Sequence, residues 1–250
     1  MAITSRLKTT KAKSTNNQEL IKIAAIQMAS GPSVAANLSE AERLIEVAAN
    51  QGAKLVVLPE YFAIMGMKET DKVAVREQEG KGPIQDFLSK IAKEHGIWLI
   101  GGSVPMVSNF PNKVRNSCLV YDDKGKQVAR YDKIHLFGLD LGNEHYHEEN
   151  TIESGNEIQV VDTPFGKIGL SICYDLRFPE LYRAMGEVNI IVIPAAFTET
   201  TGKAHWETLV RARHRKFKLC HSGSARRLSF IRPRDPWQQY DNRSLGGDFR

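Results

Sequence analysis

Short apolar runs, each followed by a turn signal, are the feature that most constrains the fold of this chain. Residues 54–58 include four consecutive apolar side chains and stop at Pro59, and residues 188–193 stop at Pro194. A short apolar run without polar alternation is typical of a strand that is covered on both faces. The sequence therefore predicts a layered fold with its strands buried between other elements.

Helical periodicity separates these runs. Residues 37–51 and 83–94 place apolar side chains at the i, i+3, i+4 and i+7 spacing of one helix face. Gly96 stands where a helix-ending glycine belongs, and residues 204–213 are also predicted to be helical. Strands that alternate with such helices indicate an α/β fold.

Two hairpins add antiparallel strands to this pattern. Their predicted strands cover residues 117–121, 127–131, 158–161 and 167–172. Gly125 marks the first turn, and further strands are predicted over residues 21–27 and 97–104. Hairpins mixed with crossover helices indicate layers around a mixed sheet, in a single domain over residues 20–213.

The composition is that of a globular protein. Of the 250 residues, 42% are hydrophobic and 25% are charged, which excludes a disordered or fibrous chain. Three cysteines in a chain of this length form no disulfide framework, which points to a reducing compartment. Because no window approaches the roughly 18 consecutive apolar residues of a membrane span, we expect a soluble, cytoplasmic protein with no membrane association.

The net charge of +5 is concentrated at the two ends of the chain. Residues 1–19 carry four Lys or Arg against one Glu, and residues 214–250 carry nine against three Asp. Residues 20–213 are therefore mildly acidic. An acidic body with basic ends offers no continuous surface for a polyanion, so nucleic-acid binding is not expected. Residues 1–19 are predicted to be a disordered basic tail.

Three reactive side chains follow predicted strands, where open sheets place ligands. Burial after the apolar run would raise the pKa of Glu60 and suit its carboxylate to act as a general base. Lys133, among apolar and aromatic neighbours, would offer positive charge to an oxyanion. Cys173 lies between a strand and the start of a helix, a place that lowers a thiol pKa. Singly, each also fits a structural role, and Cys118, in mid-strand, is predicted to be a packing residue.

The segments around these residues resemble the carbon-nitrogen hydrolase (nitrilase) superfamily over about residues 20–213. The matching motifs are, in order, Leu-Pro-Glu-Tyr-Phe, Tyr-Asp-Lys-Ile-His-Leu-Phe and Ser-Ile-Cys-Tyr-Asp-Leu-Arg-Phe-Pro-Glu. Ile-Pro-Ala-Ala-Phe-Thr and His-Trp-Glu add two further matches. The Arg-Phe-Pro-Glu form most resembles the amidase branch that includes deaminated glutathione amidase and ω-amidase.

The resemblance implies a four-layer αββα sandwich that hydrolyses a small-molecule amide without a metal or cofactor. It implies that Glu60 takes the proton of Cys173 and that the thiolate attacks the amide carbonyl. Lys133 and the backbone N–H of Tyr174 would hold the oxyanion, ammonia would leave, and water would hydrolyse the thioester. Glu148 matches the second glutamate of the family and is assigned, with Tyr174, to the substrate-binding set.

Several alternatives stay open within this resemblance. Arg177 is either a substrate contact or the partner of Glu180 in a structural ion pair. Nitriles or N-carbamoyl compounds could replace amides as substrates. A sheet-based binding module with incidental reactive residues is a third possibility, which three motifs in the family's order make weaker.

The resemblance stops abruptly near Arg213. The family pattern continues with Ala-Ile-Glu-Asn and later Asp-Pro-Trp-Gly, whereas residues 214–250 are basic and rich in Ser and Arg. Residues 214–250 can be back-translated into codons that encode a different peptide when they are read in another frame. That peptide begins Ala-Ile-Glu-Asn and contains Asp-Pro-Trp-Gly. Residues 214–250 are therefore predicted to be out-of-frame translation with little regular structure.

An out-of-frame end has consequences for fold and function. The C-terminal strands of one sheet are predicted to be missing or disrupted, and exposed strand edges can cost more than the roughly 5–15 kcal/mol by which a domain is stable. A poorly folded, catalytically dead product is therefore a second functional hypothesis. A homo-oligomer, as the family implies, is expected only with an intact C-terminus.

Overall fold

The computed structural model describes residues 21–141, 144–214 and 218–223. The strands of this part are β1 (Lys22–Ala25), β2 (Ala53–Val57), β3 (Trp98–Ile100), β4 (Val104–Val107), β5 (Val114–Tyr121), β6 (Gln127–Asp132), β7 (Gly138–Leu141), β8 (Glu144–His147), β9 (Val160–Thr163), β10 (Gly166–Leu170), β11 (Ile190–Ala195) and β12 (Lys218–Gly223). The α-helices are α1 (Val34–Asn50), α2 (Asp71–Ala74), α3 (Pro83–His95), α4 (Pro179–Ala184) and α5 (Glu199–His214). Two 3₁₀ helices cover Glu148–Asn150 and Cys173–Arg177.

Two sheets face each other, and helices cover their outer faces. The first sheet has the order β1-β2-β3-β5-β4, with β6 also paired to β5. Its strands β1, β2 and β3 are parallel, and the remaining pairs are antiparallel. The second sheet has the order β12-β11-β10-β9, in which only the β9–β10 pair is antiparallel.

Strand β2 shows how one apolar run supports two cores. Val56 and Leu58 pack in the core that α1 and α3 cover. Leu55 and Val57 point the other way, into the core shared with β10, β11, α4 and α5. All four side chains are fully buried. The αββα layering predicted from the sequence is confirmed, and it explains why this strand carries no polar alternation.

Most of the predicted elements are confirmed, with shifts of a few residues at their ends. Gly96 ends α3 in the left-handed conformation, with φ 58°, and Gly125 has φ 77° in the β5–β6 turn. One predicted strand, 97–104, is wrong because it divides into β3 and β4. Gly102 lies at the break with φ 54°, where a Cβ atom would fall 2.1 Å from the carbonyl oxygen of Pro59. This close approach brings the chain against the segment that carries Glu60.

The β7–β8 hairpin and the C-terminal strand differ from the sequence-based expectation. The hairpin was not predicted, because its two strands have only four residues each and carry a weak period-2 pattern. Little regular structure is predicted after Arg213, which is wrong for Lys218–Gly223 because these residues pair with β11 along six positions. A ladder forms between backbone groups, so it does not require an apolar pattern. The predictions for residues 1–19 and 224–250 lie outside the described residues.

Among the described helices, none combines the length and apolar character that a membrane crossing requires.

Candidate active site

The three reactive side chains singled out in the sequence meet at the ends of the central strands. Glu60 follows β2, Lys133 follows β6, and Cys173 follows β10. Glu60 and Cys173 line an open pocket of about 540 Å³, and Lys133 lies behind Glu60, to which it is hydrogen-bonded. The pocket lining includes Glu60, Tyr61, Glu69, Phe137, Tyr146, His147, Glu148, Cys173, Tyr174, Arg177, Ala196, Phe197, Thr198 and Thr201.

Glu60 is 1% exposed and is held by hydrogen bonds to both carboxylate oxygens. Its Oε1 accepts from Lys133 Nζ at 2.9 Å and from Asn116 Nδ2 at 3.1 Å. Its Oε2 accepts from the backbone N–H of Ala196 at 2.9 Å. The Cys173 thiol lies beside Glu60 and tends to lower the pKa of its carboxyl. Burial raises the pKa of the Glu60 carboxyl above its ordinary value, although Lys133 opposes the shift.

Lys133 is fully buried between two carboxylates. Its Nζ donates to Glu60 at 2.9 Å and to the two carboxylate oxygens of Glu148 at 2.8 and 3.0 Å. Burial alone would lower the pKa of Lys133, but the charges of Glu148 and Glu60 raise it well above its ordinary value. Lys133 is therefore a fixed cation beside two carboxylates that line the pocket.

Cys173 begins a 3₁₀ helix in a strained backbone conformation. Its φ is 45°, a region that residues other than glycine seldom occupy. This turn brings the thiol to the pocket while leaving Cys173 only 8% exposed. Tyr174 follows in the first turn of the same helix, where backbone N–H groups lack earlier helical carbonyls as partners.

The lowered thiol pKa expected for Cys173 from its place before a helix is wrong, because burial raises this pKa well above its ordinary value; the charge of Glu60 adds to the shift and Lys133 opposes it. Glu60 and Glu148 together carry more negative charge than the single cation Lys133 neutralises. A thiolate would add a further negative charge to this buried cluster. The resting site therefore favours a neutral thiol beside an accepting carboxylate.

Asp175 ties the Cys173 turn to the segment that carries Lys133. Its buried carboxylate accepts from the backbone N–H of Ile172 at 2.8 Å and from the hydroxyl of Tyr131 at 2.7 Å. The other oxygen accepts from the backbone N–H of His135 at 3.0 Å and lies 2.7 Å from its ring Nδ1. These contacts hold the nucleophile turn and the lysine segment in one position.

Glu148 reaches the same cluster from the 3₁₀ helix after β8. Besides Lys133, it accepts from the backbone N–H of Phe137 at 2.7 Å and from the Tyr61 hydroxyl at 2.7 Å. Burial alone would raise the pKa of Glu148, but Lys133 and these hydrogen bonds lower it below its ordinary value. The pKa values of the two carboxylates that flank Lys133 are therefore shifted in opposite directions.

Arg177 faces the pocket and does not form the ion pair with Glu180 that the sequence left open. Its guanidinium lies 5.5 Å from the Tyr174 ring and 5.7 Å from the Phe197 ring. Glu180 instead pairs with Arg183 at 3.1 Å. The Nε atom of Arg177 is buried and has no hydrogen-bond partner. The structure thus brings Arg177 and Tyr174 to the pocket that Cys173 lines.

Several residues of this site were not predicted from the sequence. Tyr61 stands inside a recognised motif, but only its contact with Glu148 shows what it does. Asn116 is a buried amide in β5, next to Arg115 and Ser117 and before a run of buried residues. Ala196 contributes a backbone N–H, which no side-chain pattern reveals. Cys118 is fully buried in β5, as predicted for a packing residue.

A metal centre finds no support in the described part of the chain, where no three His, Cys, Asp or Glu side chains are grouped to hold an ion.

Comparison with known proteins adds an independent line of evidence. The family model described as carbon-nitrogen hydrolase matches residues 22–217. The structure is similar to that of the nitrilase-superfamily protein Nit3 of Saccharomyces cerevisiae, with a TM-score of 0.73 and 33% identity. That similarity covers 83% of this chain and 77% of Nit3.

Curated relatives include two named amidases. The chain is 40% identical over 196 residues to deaminated glutathione amidase of Yersinia enterocolitica, which covers 76% of this chain and 68% of the relative. It is 39% identical over 196 residues to omega-amidase NIT2 of Homo sapiens, covering 77% and 69%. The chain spans between 61% and 71% of the length of these and other curated relatives. With its motifs, its layered fold and its matches in agreement, the chain belongs to the carbon-nitrogen hydrolase family, among relatives that are amidases.

Proposed function

We propose that this protein hydrolyses the carbon–nitrogen bond of a small amide through a thioester on Cys173. The observation that carries the proposal is that a thiol and a carboxylate with a raised pKa line one pocket, and that a buried lysine is bound to this carboxylate. Cys173 is the nucleophile, Glu60 the proton acceptor and Lys133 the cation for the oxyanion. The names of the amidase relatives support an amide as the substrate.

The first step joins nucleophilic attack to proton transfer. Because a thiolate beside two carboxylates is unfavourable, the Cys173 thiol stays neutral until a substrate carbonyl is in reach. As the sulfur bonds to the carbonyl carbon, its proton passes to the neighbouring Glu60 carboxylate. The C=O electron pair moves to the oxygen, so the negative charge shifts from the carboxylate to the oxyanion.

Lys133 and the backbone N–H of Tyr174 then stabilise the oxyanion. Both are fixed before the substrate arrives, Lys133 by two carboxylates and Tyr174 by the turn that Asp175 braces. Donors that need no reorganisation are the most effective stabilisers of developing charge. The buried surroundings of Lys133 strengthen this interaction relative to water.

Collapse of the tetrahedral intermediate breaks the carbon–nitrogen bond. Glu60 returns its proton to the departing nitrogen, which leaves as ammonia and gives the thioester. Glu60 then takes a proton from water as the water oxygen attacks the thioester carbonyl. The second intermediate releases a carboxylic acid, and the proton on Glu60 returns to the Cys173 sulfur, which restores the resting site.

We assign Arg177 to substrate binding. Its buried Nε lacks a partner, and leaving such a donor unsatisfied costs free energy. An anionic group on the substrate would complete its hydrogen bonds, and the aromatic faces of Tyr174 and Phe197 hold the guanidinium plane in place. This favours an amide that also bears a carboxylate.

We also place the protein in the cytoplasm, where it binds neither nucleic acid nor membrane, and we expect a homo-oligomer only with an intact C-terminus. A reducing compartment is supported by Cys118 and Cys173, neither of which is in a disulfide. It would also keep the proposed nucleophile reduced.

The test is to trap the intermediate. The full chain is incubated with carboxylate-bearing amides, ammonia release is measured, and the acid-quenched protein is analysed by peptide mass spectrometry. We expect an acyl adduct on the Cys173 peptide, lost in Cys173→Ala and retained in Cys118→Ala. Ammonia release without such an adduct, or unchanged turnover in Cys173→Ala, would rule out the covalent route. A chain that folds but shows neither adduct nor turnover would support the catalytically dead alternative.

A further inference from the structure

Two carboxylates contact the same lysine, yet their surroundings differ. Glu60 has the Cys173 thiol as a neighbour and a pKa above its ordinary value. Glu148 accepts from donors on each oxygen and has a pKa below its ordinary value. One of those donors, the Tyr61 hydroxyl, belongs to the residue next to Glu60 in the chain.

Tyr61 is held firmly in the position from which it donates. Its φ of 56° turns the chain sharply after Glu60. Its backbone N–H donates to Ser103 Oγ at 2.9 Å, and its side chain is buried. Lys72 Nζ lies 5.5 Å from the ring centroid and also donates to Thr151 Oγ1 at 3.3 Å, close to the helix that carries Glu148.

We propose that Tyr61 is the positioning residue that keeps Glu148 ionised and bound to Lys133, so that Glu60 alone exchanges protons with the nucleophile. This inference rests on the proposed function for its catalytic meaning. Tyr61 touches neither the thiol nor the reacting carbonyl in this scheme, and it acts through Glu148.

The geometry gives the reason. Glu148 Oε1 accepts from Lys133 at 3.0 Å and from Tyr61 at 2.7 Å, and Oε2 accepts from Lys133 at 2.8 Å and from the Phe137 N–H at 2.7 Å. Without the hydroxyl, Glu148 Oε1 would have Lys133 Nζ as its remaining hydrogen-bond donor, and Lys133 Nζ also donates to Glu60. The proton affinities of the two carboxylates would then move closer together, because a lost donor raises a carboxyl pKa.

Other charged groups around this contact do not replace the hydroxyl. The charged and titratable neighbours of Tyr61 and Glu148 are Lys133, Glu60, Cys173, Lys72, Glu69 and His147. Lys72 is engaged with Glu69 at 2.6 Å and with Thr151. The Tyr61 hydroxyl donates to Glu148, and this contact can be removed by the conservative substitution Tyr61→Phe.

The experiment measures the Glu148 carboxyl directly. The full chain is labelled with [¹³Cδ]glutamate and titrated by NMR, and the Glu148 signal is identified as the one missing in Glu148→Gln. Tyr61→Phe removes only the hydroxyl, so we expect the Glu148 pKa to rise by about one unit with little change in melting temperature. The matched control is Tyr121→Phe, which removes a buried hydroxyl hydrogen-bonded at 3.3 Å to Gln127, and we expect no shift in Glu148.

A second variant separates positioning from general structural support. Replacing Tyr61 alone with 3-fluorotyrosine keeps the hydroxyl and makes it a stronger donor, so the Glu148 pKa should fall. Opposite shifts in the two variants support the proposal, since a loss of packing cannot produce both. An unchanged Glu148 pKa in either variant overturns it.

The titration does not depend on turnover, so its outcome stands even if no amide is hydrolysed. Where hydrolysis is observed, Tyr61→Phe should lower kcat more than it raises KM. Hydrolysis with an unchanged kcat would overturn the inference while leaving the amidase proposal intact.

Discussion

Replacing Glu60 by glutamine should separate the reactivity of the thiol from the hydrolysis that depends on it. The substitution keeps the size of the side chain and removes one negative charge. Because the Glu60 charge helps to raise the thiol pKa, its loss should lower the pKa of Cys173. Glu60→Gln should therefore hold more thiolate at neutral pH while lacking the group that transfers the proton.

The fold should tolerate this change. Lys133 keeps its contacts with Glu148 at 2.8 and 3.0 Å, so the buried cation is still compensated. Destabilisation should stay below the roughly 3–5 kcal/mol of a buried pair that loses its only partner. The amide N–H₂ group of the introduced glutamine would face a donor, either Lys133 or the Ala196 N–H, which accounts for a modest loss of stability.

Two rates are measured on the same preparations. Loss of a general base typically lowers a rate by about 10²- to 10⁴-fold, which corresponds to about 3–5 kcal/mol of barrier. We expect this loss in ammonia release, while alkylation of Cys173 by iodoacetamide at neutral pH is faster than in the wild type. Cys118, which is buried and whose pKa burial raises to about 12, should stay unlabelled in both proteins and so report an intact fold.

The opposite movement of the two rates is the decisive outcome. If hydrolysis and alkylation fall together, Glu60 is needed to form the thiolate rather than to shuttle a proton during attack, and the neutral-thiol resting state is wrong. If hydrolysis stays near the wild-type rate, Glu60 has only a structural role.

Three substitutions, with Cys118→Ala as a control for the first, test the remaining assignments. Cys173→Ala should abolish ammonia release, whereas Cys118→Ala should keep most of it, and turnover in the first variant would exclude the covalent mechanism. Lys133→Met should lower kcat by about 10²- to 10³-fold through loss of an oxyanion donor; a normal kcat in folded protein would contradict this role. Arg177→Met should raise KM for carboxylate-bearing amides at least about tenfold, since a hydrogen bond to a charged group contributes about 1.5–3 kcal/mol. An equal effect on neutral amides would show that Arg177 recognises no anion.

The layered fold was predictable because its main signals are local. The apolar run of β2 is buried on both faces, and Gly96 and Gly125 adopt the left-handed conformations that their positions indicated. A turn or a helix end depends on a few neighbouring residues, so sequence alone can show it. The prediction of one strand over residues 97–104 was wrong for the opposite reason. The break at Gly102 depends on the close approach of Pro59, which is far away in the chain.

The site was predictable only in part, for the same physical reason. Motifs and resemblance pointed to the thiol, the lysine and the carboxylates, but not to the groups that give them different proton affinities. The Ala196 N–H reaches Glu60 across 136 positions, and the Tyr61 hydroxyl reaches Glu148 across 87. Such contacts are set by how the two sheets pack, and a backbone donor leaves no mark in the residue types.

That residues 214–250 are out-of-frame translation remains a proposal, and the pairing of β12 affects how it can be tested. Arg213, near the end of the segment that the family model matches, donates to the Leu176 carbonyl at 2.7 Å, and its guanidinium lies 5.0 Å from the Tyr182 ring. Helix α5 therefore holds the 3₁₀ helix that begins at Cys173. Strand β12 then pairs with β11 through backbone groups, which out-of-frame residues can supply as well as native ones.

Restoring the other reading frame after Arg213 should therefore raise the melting temperature and the hydrolysis rate together. The restored residues would keep the backbone pairing of β12 and would replace its Lys and His residues by ones selected for this place in the fold. As a control, deleting residues 224–250 from the present chain should change the free energy of unfolding little, because out-of-frame residues have no selected partners. A loss of several kcal/mol on that deletion, or a restored chain that melts no higher, would refute the frameshift and make the basic segment a functional part of the protein.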